Sequence, residues 1–379
     1  MEFSKHNIFS KIADSQNYFI VNPLSGQADI LDPEEAKRFT DNSLEDNQEF
    51  VEKGYLVNPK EEEQLFKKKY LDFIDERDND EVQLFFTPWY TCNFDCSYCF
   101  QDEYTNPNDN VKAEVIDAFF NYVDKNLAGR QKYITIFGGE PLLNSPVKRE
   151  SIVQVITGAN KRNLDIAIVT NGYYISDYID ILKTANIREI QVTLDGTQHV
   201  HDSRRMLKGG KGSFNKIAEG IDLLLENNIP INLRMIVDKD NVNNLPDLAR
   251  FAIEKGWTKS PYFKTALGRN YELHHCQTNN QRLFSRIEMY KQIYDIVKEN
   301  PEVLEFHKPA FSISKFIFEN GELPNPLFDS CSGGKTEWAF DYSGKIYSCT
   351  ATVGNQGDEL GTFYPKIDLN EDLIEEWED

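Results

Sequence analysis

Three cysteines fall within eight residues, Cys92-Asn93-Phe94-Asp95-Cys96-Ser97-Tyr98-Cys99. The thiolate is a soft metal ligand, and spacings of three and two intervening residues let all three sulfurs converge on one object. Structural zinc takes four ligands, all Cys or Cys with His, and no His or fourth Cys lies near this loop. Clusters that only carry electrons also take four Cys, whereas a four-iron cluster held by three thiolates leaves one iron open to a substrate or cofactor. The residues therefore point to an iron–sulfur cluster with an open position, with zinc as the alternative. Of the other cysteines, Cys331 and Cys349 form a loose pair near the end and Cys276 stands alone. In a chain of 379 residues whose start, Met1-Glu2-Phe3-Ser4-Lys5-His6, has no apolar signal core, six cysteines are expected to be reduced and chemical rather than disulfide-bonded.

A loop of this kind needs a scaffold, and the sequence supplies a repeating one. From residue 82 onward, short β-branched runs alternate with longer amphipathic segments, the pattern of βα units around a parallel sheet. The expected strands are Val82–Thr87, Tyr133–Phe137, Asp165–Thr170, Glu189–Leu194, Ile231–Val237 and Tyr262–Leu267. Helical periods are expected at about 111–127, 147–161, 176–186, 213–228, 243–256 and 281–299, with Ser176, Ser213 and Asn243 as caps and Gly256 as a stop. Runs such as Ile134-Thr135-Ile136-Phe137 and Ile166-Ala167-Ile168-Val169 read as strands buried on both faces. The fold class is α/β, a partial (β/α)6 TIM-like barrel. The strands end in Gly138-Gly139-Glu140-Pro141, Thr170-Asn171-Gly172 and Asp195-Gly196-Thr197, and in βα barrels chemistry collects at those ends.

Residues 1–80 have a different texture. Tyr18–Gly26 reads as a strand entering a turn, Asp29-Ile30-Leu31 as its return, and an acidic-basic helix over 61–77 links to the barrel. The expectation is a small α+β module, either a packing extension or a binding module. The 62 acidic against 41 basic residues give a net charge of -21, which argues against a nucleic-acid binder, whose affinity comes from cationic contacts to phosphates. No apolar run approaches the roughly 20 residues that span a bilayer. A cytoplasmic protein without a membrane or nucleic-acid partner is expected.

The cysteine spacing Cys-x3-Cys-x2-Cys, with an aromatic residue before the last Cys and a place after the first barrel strand, resembles the radical S-adenosylmethionine (SAM) superfamily over roughly residues 82–300. The resemblance implies that Cys92, Cys96 and Cys99 hold a [4Fe–4S] cluster. It implies that the methionine amino and carboxylate groups of SAM chelate the open iron, and that an electron then cleaves the sulfonium to methionine and a 5′-deoxyadenosyl radical. Tyr98 would lie beside the adenine. Gly138-Gly139-Glu140 matches the motif that receives the methionine ammonium, where glycines permit close approach and the Glu140 carboxylate can pair with a cation. Thr170 and Asn171 resemble the ribose-contacting strand end. Arg234, the one cation expected inside the barrel, would pair with the SAM carboxylate, the substrate or a structural partner. Asp195-Gly196-Thr197, His201, Asp202 and Arg204-Arg205 recur in this branch and are read as substrate-side.

Near the end, Trp338–Tyr342, the Ser343-Gly344 turn and Lys345–Tyr347 form an expected hairpin carrying Cys349. Cys331-x12-Gly344-x4-Cys349 resembles the first half of the SPASM auxiliary-cluster extension, which makes Cys331 and Cys349 candidate ligands of an auxiliary [4Fe–4S] cluster in a C-terminal region 301–379. SPASM proteins continue with Cys-x2-Cys-x5-Cys-x3-Cys, and no further Cys follows here, so the chain is expected to be truncated or its auxiliary region reduced. Cys276, preceded by His274 and His275, is a possible third ligand or an unassigned thiol. In the sulfatase-maturing branch an Asp base follows the Gly-x4-Cys cysteine; here Thr350 stands there, and Thr is no base near pH 7. The reading is thus an enzyme that modifies a ribosomally made precursor peptide by C–H activation, with residues 1–80 as a leader-binding element and a flavodoxin or ferredoxin as electron donor. The alternatives are sulfatase-maturase-like oxidation of a protein Cys or Ser, and a non-catalytic iron–sulfur or zinc scaffold.

Overall fold

The computed structural model describes all residues except 41–47, 100, 102–108, 271–281, 310–313, 330 and 379. It resolves into two compact units, Met1–Asn79 with Ala310–Cys331, and Asp80–Pro309 with Ser332–Asp379. The division falls between Asn79 and Asp80. The expected C-terminal region 301–379 is instead divided between the two units.

In the first unit, β1 (Glu2–Phe3) pairs with β5 (Leu56–Val57), and β2 (Ile8–Lys11), β3 (Tyr18–Asn22) and β4 (Gln27–Leu31) form an antiparallel sheet in that order. Ile20, Leu31, Phe39, Phe50 and Tyr55 make its core. The helix Pro59–Asn79 follows, and Phe66, Tyr70 and Phe73 receive Phe328 with ring centroids 5.1, 5.6 and 5.7 Å away.

The second unit is built on six parallel strands: β6 (Val82–Thr87), β8 (Lys132–Ile136), β9 (Ile166–Thr170), β10 (Ile187–Thr193), β12 (Ile231–Val237) and β13 (Phe263–Arg269). All six coincide with the expected strands to within two residues. Helices follow at Ala113–Asn126, Pro146–Asn160, Ile175–Leu182, Phe214–Glu226, Leu245–Glu254 and Arg286–Glu299. Two further strands, β7 (Phe94–Cys96) and β11 (Arg205–Leu207), form a small antiparallel ribbon of their own.

The strands are not apolar on both faces. Leu84, Phe86, Ile134, Ile136, Ile166, Ile168, Ile190, Val192, Leu233 and Met235 are fully buried. Phe86 meets Phe119 of the first helix with centroids 4.7 Å apart. The alternate residues, among them Gln83, Thr135, Gln191 and Arg234, line a cavity. Because the barrel is open, its interior is not filled by a third layer of aliphatic side chains, and polar groups such as the Gln83–Thr135 pair (2.8 Å) occupy it.

The C-terminal hairpin joins the same sheet. β14 (Glu337–Asp341) runs parallel to β6, and β15 (Lys345–Tyr347), β16 (Glu359–Thr362) and β17 (Asp368–Leu369) continue antiparallel. Gly256 ends its helix at φ 74°, as a stop should. Ser213 precedes its helix, but the cap is Asp202, whose Oδ1 accepts the N–H groups of Ser213 (2.8 Å) and Phe214 (2.9 Å). Ser176 lies inside its helix and Asn243 inside a short 3-10 turn. Among the described residues, no helix is long and apolar enough to cross a membrane.

Candidate active site

The cysteine loop leaves β6 and is held at both ends. Asp109 accepts the backbone N–H groups of Tyr90 (2.6 Å) and Thr91 (2.8 Å), and Lys148 lies 3.6 Å from the Asp109 carboxylate with its ammonium over the Trp89 ring. Cys96 is the last residue of β7 and stands opposite Arg205 of β11. The Cys99 N–H donates to the Cys96 carbonyl oxygen (3.1 Å), and the Phe94 N–H to Cys92 Sγ (3.4 Å). None of the three is in a disulfide, and all line one cavity of about 280 Å³, together with Tyr98, Gly138, Gly139, Thr170, Asn171 and Arg234. The sequence expectation brings these residues together at the C-terminal ends of the strands, and they meet there.

The two glycines approach the chain's own backbone. A Cβ on Gly138 would lie 2.6 Å from the Trp89 carbonyl oxygen, and one on Gly139 2.1 Å from that of Tyr90. Gly138 also has φ 142°. These contacts lock the end of β8 against the segment that leads into Cys92.

Glu140, expected as an ammonium partner, is fully buried and is not among the residues lining the cavity. Its carboxylate accepts the Leu142 N–H (2.8 Å), the Thr170 hydroxyl (2.6 Å) and the Asn171 N–H (2.6 Å). Burial pushes its carboxyl up to about 7, while those three donors and the Arg205 charge pull it down. Glu140 therefore ties the end of β8 to the end of β9. Thr170 spends its hydroxyl on that tie. The Asn171 side-chain amide donates to Asn93 Oδ1 (2.8 Å), reaching back to the cysteine loop.

His201 and Asp202 are not substrate-side residues in this structure. His201 is fully buried; its Nδ1 accepts the Asp195 N–H (3.1 Å) and its Nε2 faces the Ser213 hydroxyl (3.1 Å). Asp202 is the helix cap described above. Neither lines the cavity. Burial lowers the His201 pKa from 6.5 to about 3, with Arg205 adding to the effect. A depressed folded-state pKa means that only the unfolded chain takes up this proton between those values, so stability present above pH 6.5 is lost as the pH falls toward 3. His201 should cost up to ~1.4 kcal/mol per pH unit across that window. Urea unfolding at pH 7.5 and 5 should show a smaller pH loss for His201→Gln, which keeps an acceptor and a donor; an unchanged loss would rule out this role.

Arg234 is not the lone cation. Arg205 and Arg269 line the same cavity, and among the described lining residues there is no carboxylate. Arg204 instead bridges Asp195 (3.3 Å) and Asp238 (3.0 Å), a buried structural pairing. The Tyr98 hydroxyl donates to Asp195 (2.5 Å). Thr350 and Ala351 reach the cavity wall from the strand end after β15. Cys331 is exposed in the first unit; Cys349 is part-buried in the second, its N–H 3.4 Å from the Thr352 hydroxyl. Cys276, His274 and His275 lie outside the described residues. Sequence reasoning missed Asp109, Lys148 and Arg269, which no local motif marks.

The donor set suits a polynuclear group. Burial pushes the Cys92 and Cys96 thiols up to about 12 and about 11, so ionising them needs a strong positive partner such as a metal. Among the described residues, no three His, Cys, Asp or Glu side chains converge on a single metal ion. Thiolates bound to separate irons of one cluster do not have to.

Residues 86–252 match the family described as the Radical SAM superfamily. Those residues form a radical SAM domain. Radical SAM enzymes use a [4Fe–4S] cluster and SAM, and this is an enzyme of that kind. Among curated proteins, a GTP 3′,8-cyclase of Campylobacter fetus is 28% identical over 232 residues, covering 61% of this chain and 67% of that protein. A cysteine-type anaerobic sulfatase-maturating enzyme of Clostridium novyi is 27% identical, over 42% of this chain and 44% of that protein. Among solved structures, anSMEcpe with bound AdoMet superposes with a TM-score of 0.62 at 17% identity, covering 78% of each chain. Streptococcus suis SuiB bound to precursor peptide SuiA has a TM-score of 0.54 at 15% identity, covering 100% of this chain and 88% of that one. At these identities the structural likenesses establish the fold.

Proposed function

We propose that this chain is a radical SAM maturase that modifies a ribosomally made precursor peptide at an unactivated C–H bond. The observation that supports the reading is the extent of the structural likeness to the precursor-peptide complex, which takes in the whole chain, whereas that to anSMEcpe takes in 78% of it. Cys92, Cys96 and Cys99 would hold the [4Fe–4S] cluster. The cluster and SAM, when bound, supply the radical that takes a hydrogen atom from the substrate. The chain's own residues do the positioning: Gly138 and Gly139 let two backbone segments close, Glu140 joins two strand ends, and Arg234, whose guanidinium makes no hydrogen bond or ion pair to another described residue, faces the cavity ready for a carboxylate of SAM or substrate. In the first unit, β2 and β4 are sheet edges carrying exposed Ile8 and Ile30, a surface to which an extended leader could add as a strand. A low-potential donor such as flavodoxin or ferredoxin would deliver the electron.

The sulfatase-maturase alternative draws support from the Clostridium novyi relative. It needs a base, and Thr350 stands on the cavity wall without a carboxylate. The sulfatase-maturase reading takes its base from elsewhere and is separated by its product, a mass loss of two hydrogens from a Cys or Ser of a sulfatase-motif peptide. Thr350→Ala tests only that Thr350 is not the base. Peptide-dependent 5′-deoxyadenosine formation should stay within about threefold of wild type, since a neutral hydroxyl gives no general-base catalysis; loss of a true base costs about 10²–10⁴-fold. The function itself is tested by anaerobic reconstitution with SAM, dithionite and a panel of candidate precursor peptides. Peptide-dependent 5′-deoxyadenosine with a mass change in the same peptide is expected. Its absence with every peptide tried, in protein carrying an intact cluster, would defeat the proposal.

A further inference from the structure

Arg205 is the residue whose placement the reading above leaves unused. In the β7–β11 ribbon it stands directly opposite Cys96, and cross-strand partners in such a pair share one face of the ribbon with Cβ atoms about 5 Å apart. Its guanidinium is fixed rather than free. Nη1 donates to the Tyr98 hydroxyl (2.6 Å), the group lies 5.9 and 5.8 Å from the Phe94 and Tyr98 ring centroids, and the Tyr98 hydroxyl is itself held by Asp195. The backbone is pinned as well, since the Arg205 carbonyl oxygen accepts the Ser213 hydroxyl (2.7 Å). Nε is buried without a hydrogen-bond partner, so the side chain holds a positive charge and an unanswered donor in a cavity wall that has no carboxylate among its described lining residues.

We propose that Arg205 tunes the cluster electrostatically, raising its reduction potential so that a low-potential one-electron donor can reduce it. This rests on the reading of Cys92, Cys96 and Cys99 as cluster ligands. An oxidised four-iron cluster of charge +2 with three thiolates carries a net charge of −1. One electron from the donor takes it to −2, with no proton transferred. A fixed positive charge beside one of the three sulfurs favours the more negative state, and cluster potentials respond to net charge and to hydrogen bonds at the sulfurs. Arg205 acts on the cluster through space and is a positioning and tuning residue rather than a reacting one.

The experiment is an anaerobic redox titration of the reconstituted full-length chain, followed by electron paramagnetic resonance. The relevant signal is the one that changes when SAM is added, since SAM binds only the cluster with an open iron. Arg205→Met and Arg205→Gln should lower the reduced-to-oxidised ratio at a fixed potential about tenfold, a 59 mV shift for a one-electron couple. Arg205→Lys, which keeps the charge, should stay within threefold. Asp195→Asn removes the carboxylate of the same network and should raise the ratio at least threefold; it carries the test if the Arg205 variants do not load four irons. Unchanged midpoints in fully loaded Arg205→Met, a Lys variant that falls as far as Met, or no rise with Asp195→Asn would overturn the proposal. Wild-type protein that assembles no SAM-responsive cluster would overturn the ligand reading instead, so the two failures are distinct.

Discussion

Single replacement of Cys92, Cys96 or Cys99 by alanine is expected to abolish formation of 5′-deoxyadenosine from SAM and to remove the iron from this site. Groups that merely orient a metal ligand are worth about 10–100-fold in affinity or activity, so loss of a ligand should exceed about 100-fold. The prediction separates these three cysteines from the rest. Cys331 is exposed and Cys349 is not among the residues lining the cavity, so Cys331→Ala and Cys349→Ala should leave SAM cleavage measurable even where they alter other iron. Iron and sulfide per chain after anaerobic reconstitution, together with chromatography of the SAM products, check both halves. An alanine variant of the loop that keeps its iron and still cleaves SAM would remove the basis of the proposed function. Zinc as the bound metal would do the same.

The βα alternation was legible because each barrel strand contributes a run of β-branched residues to an apolar layer under the helices, and periodicity reports that layer directly. What periodicity could not report is the other face. Thr135 and Val169 read as buried on both sides, yet they look into a cavity, because an open barrel leaves its interior to polar side chains and ligands. The same limit applies to β14. Glu337–Asp341 has the texture of a hairpin strand, and nothing local in it specifies that its partner is β6, some 250 positions earlier, paired in parallel.

For the site, spacing was informative where the chemistry is carried by the loop itself. Cys92, Cys96 and Cys99 are close in sequence because one short loop must present all three, and Gly138-Gly139-Glu140 marks a backbone approach that only glycine permits. Individual polar residues were less legible. His201-Asp202 and Arg204-Arg205 look alike as a charged cluster, but helical geometry sends His201 inward to Asp195, Asp202 to the next helix start, and Arg204 to Asp238, and only Arg205 to the cavity. Neighbours in sequence on a helix end point in different directions, so their shared charge says little about a shared role. Asp109 and Lys148 escaped notice for the opposite reason: they are 39 positions apart and meet only after folding.

The clamp around Glu140 should be the second most sensitive feature of the molecule. Glu140→Ala leaves three buried donors, the Leu142 and Asn171 N–H groups and the Thr170 hydroxyl, without an acceptor. At about 1–3 kcal/mol for each unsatisfied group, the loss should be about 3 kcal/mol or more. Glu140→Gln keeps the shape, but one of its two terminal atoms becomes a donor, so at least one of the three bonds is lost and the cost should be nearer ~1–3 kcal/mol. Gly139→Ala attacks the same junction from the other side. Its Cβ would meet the Tyr90 and Thr91 carbonyl oxygens at 2.1 and 2.4 Å, and these are backbone atoms already tied to Asp109 through their own N–H groups, so the loop must move as a whole. A displacement of about 1 Å at a catalytic constellation can cost about 100-fold in rate. SAM cleavage by Gly139→Ala should therefore fall about 100-fold or more, with a urea midpoint shifted in the same direction as that of Glu140→Ala. Because Glu140 acts by joining β8 to β9 and not by touching the ligand, the order of stability loss, Ala above Gln, should be reproduced in protein without cluster or SAM. If Glu140→Ala unfolds at the same urea concentration as wild type and loses only SAM affinity, Glu140 is a direct ligand contact after all.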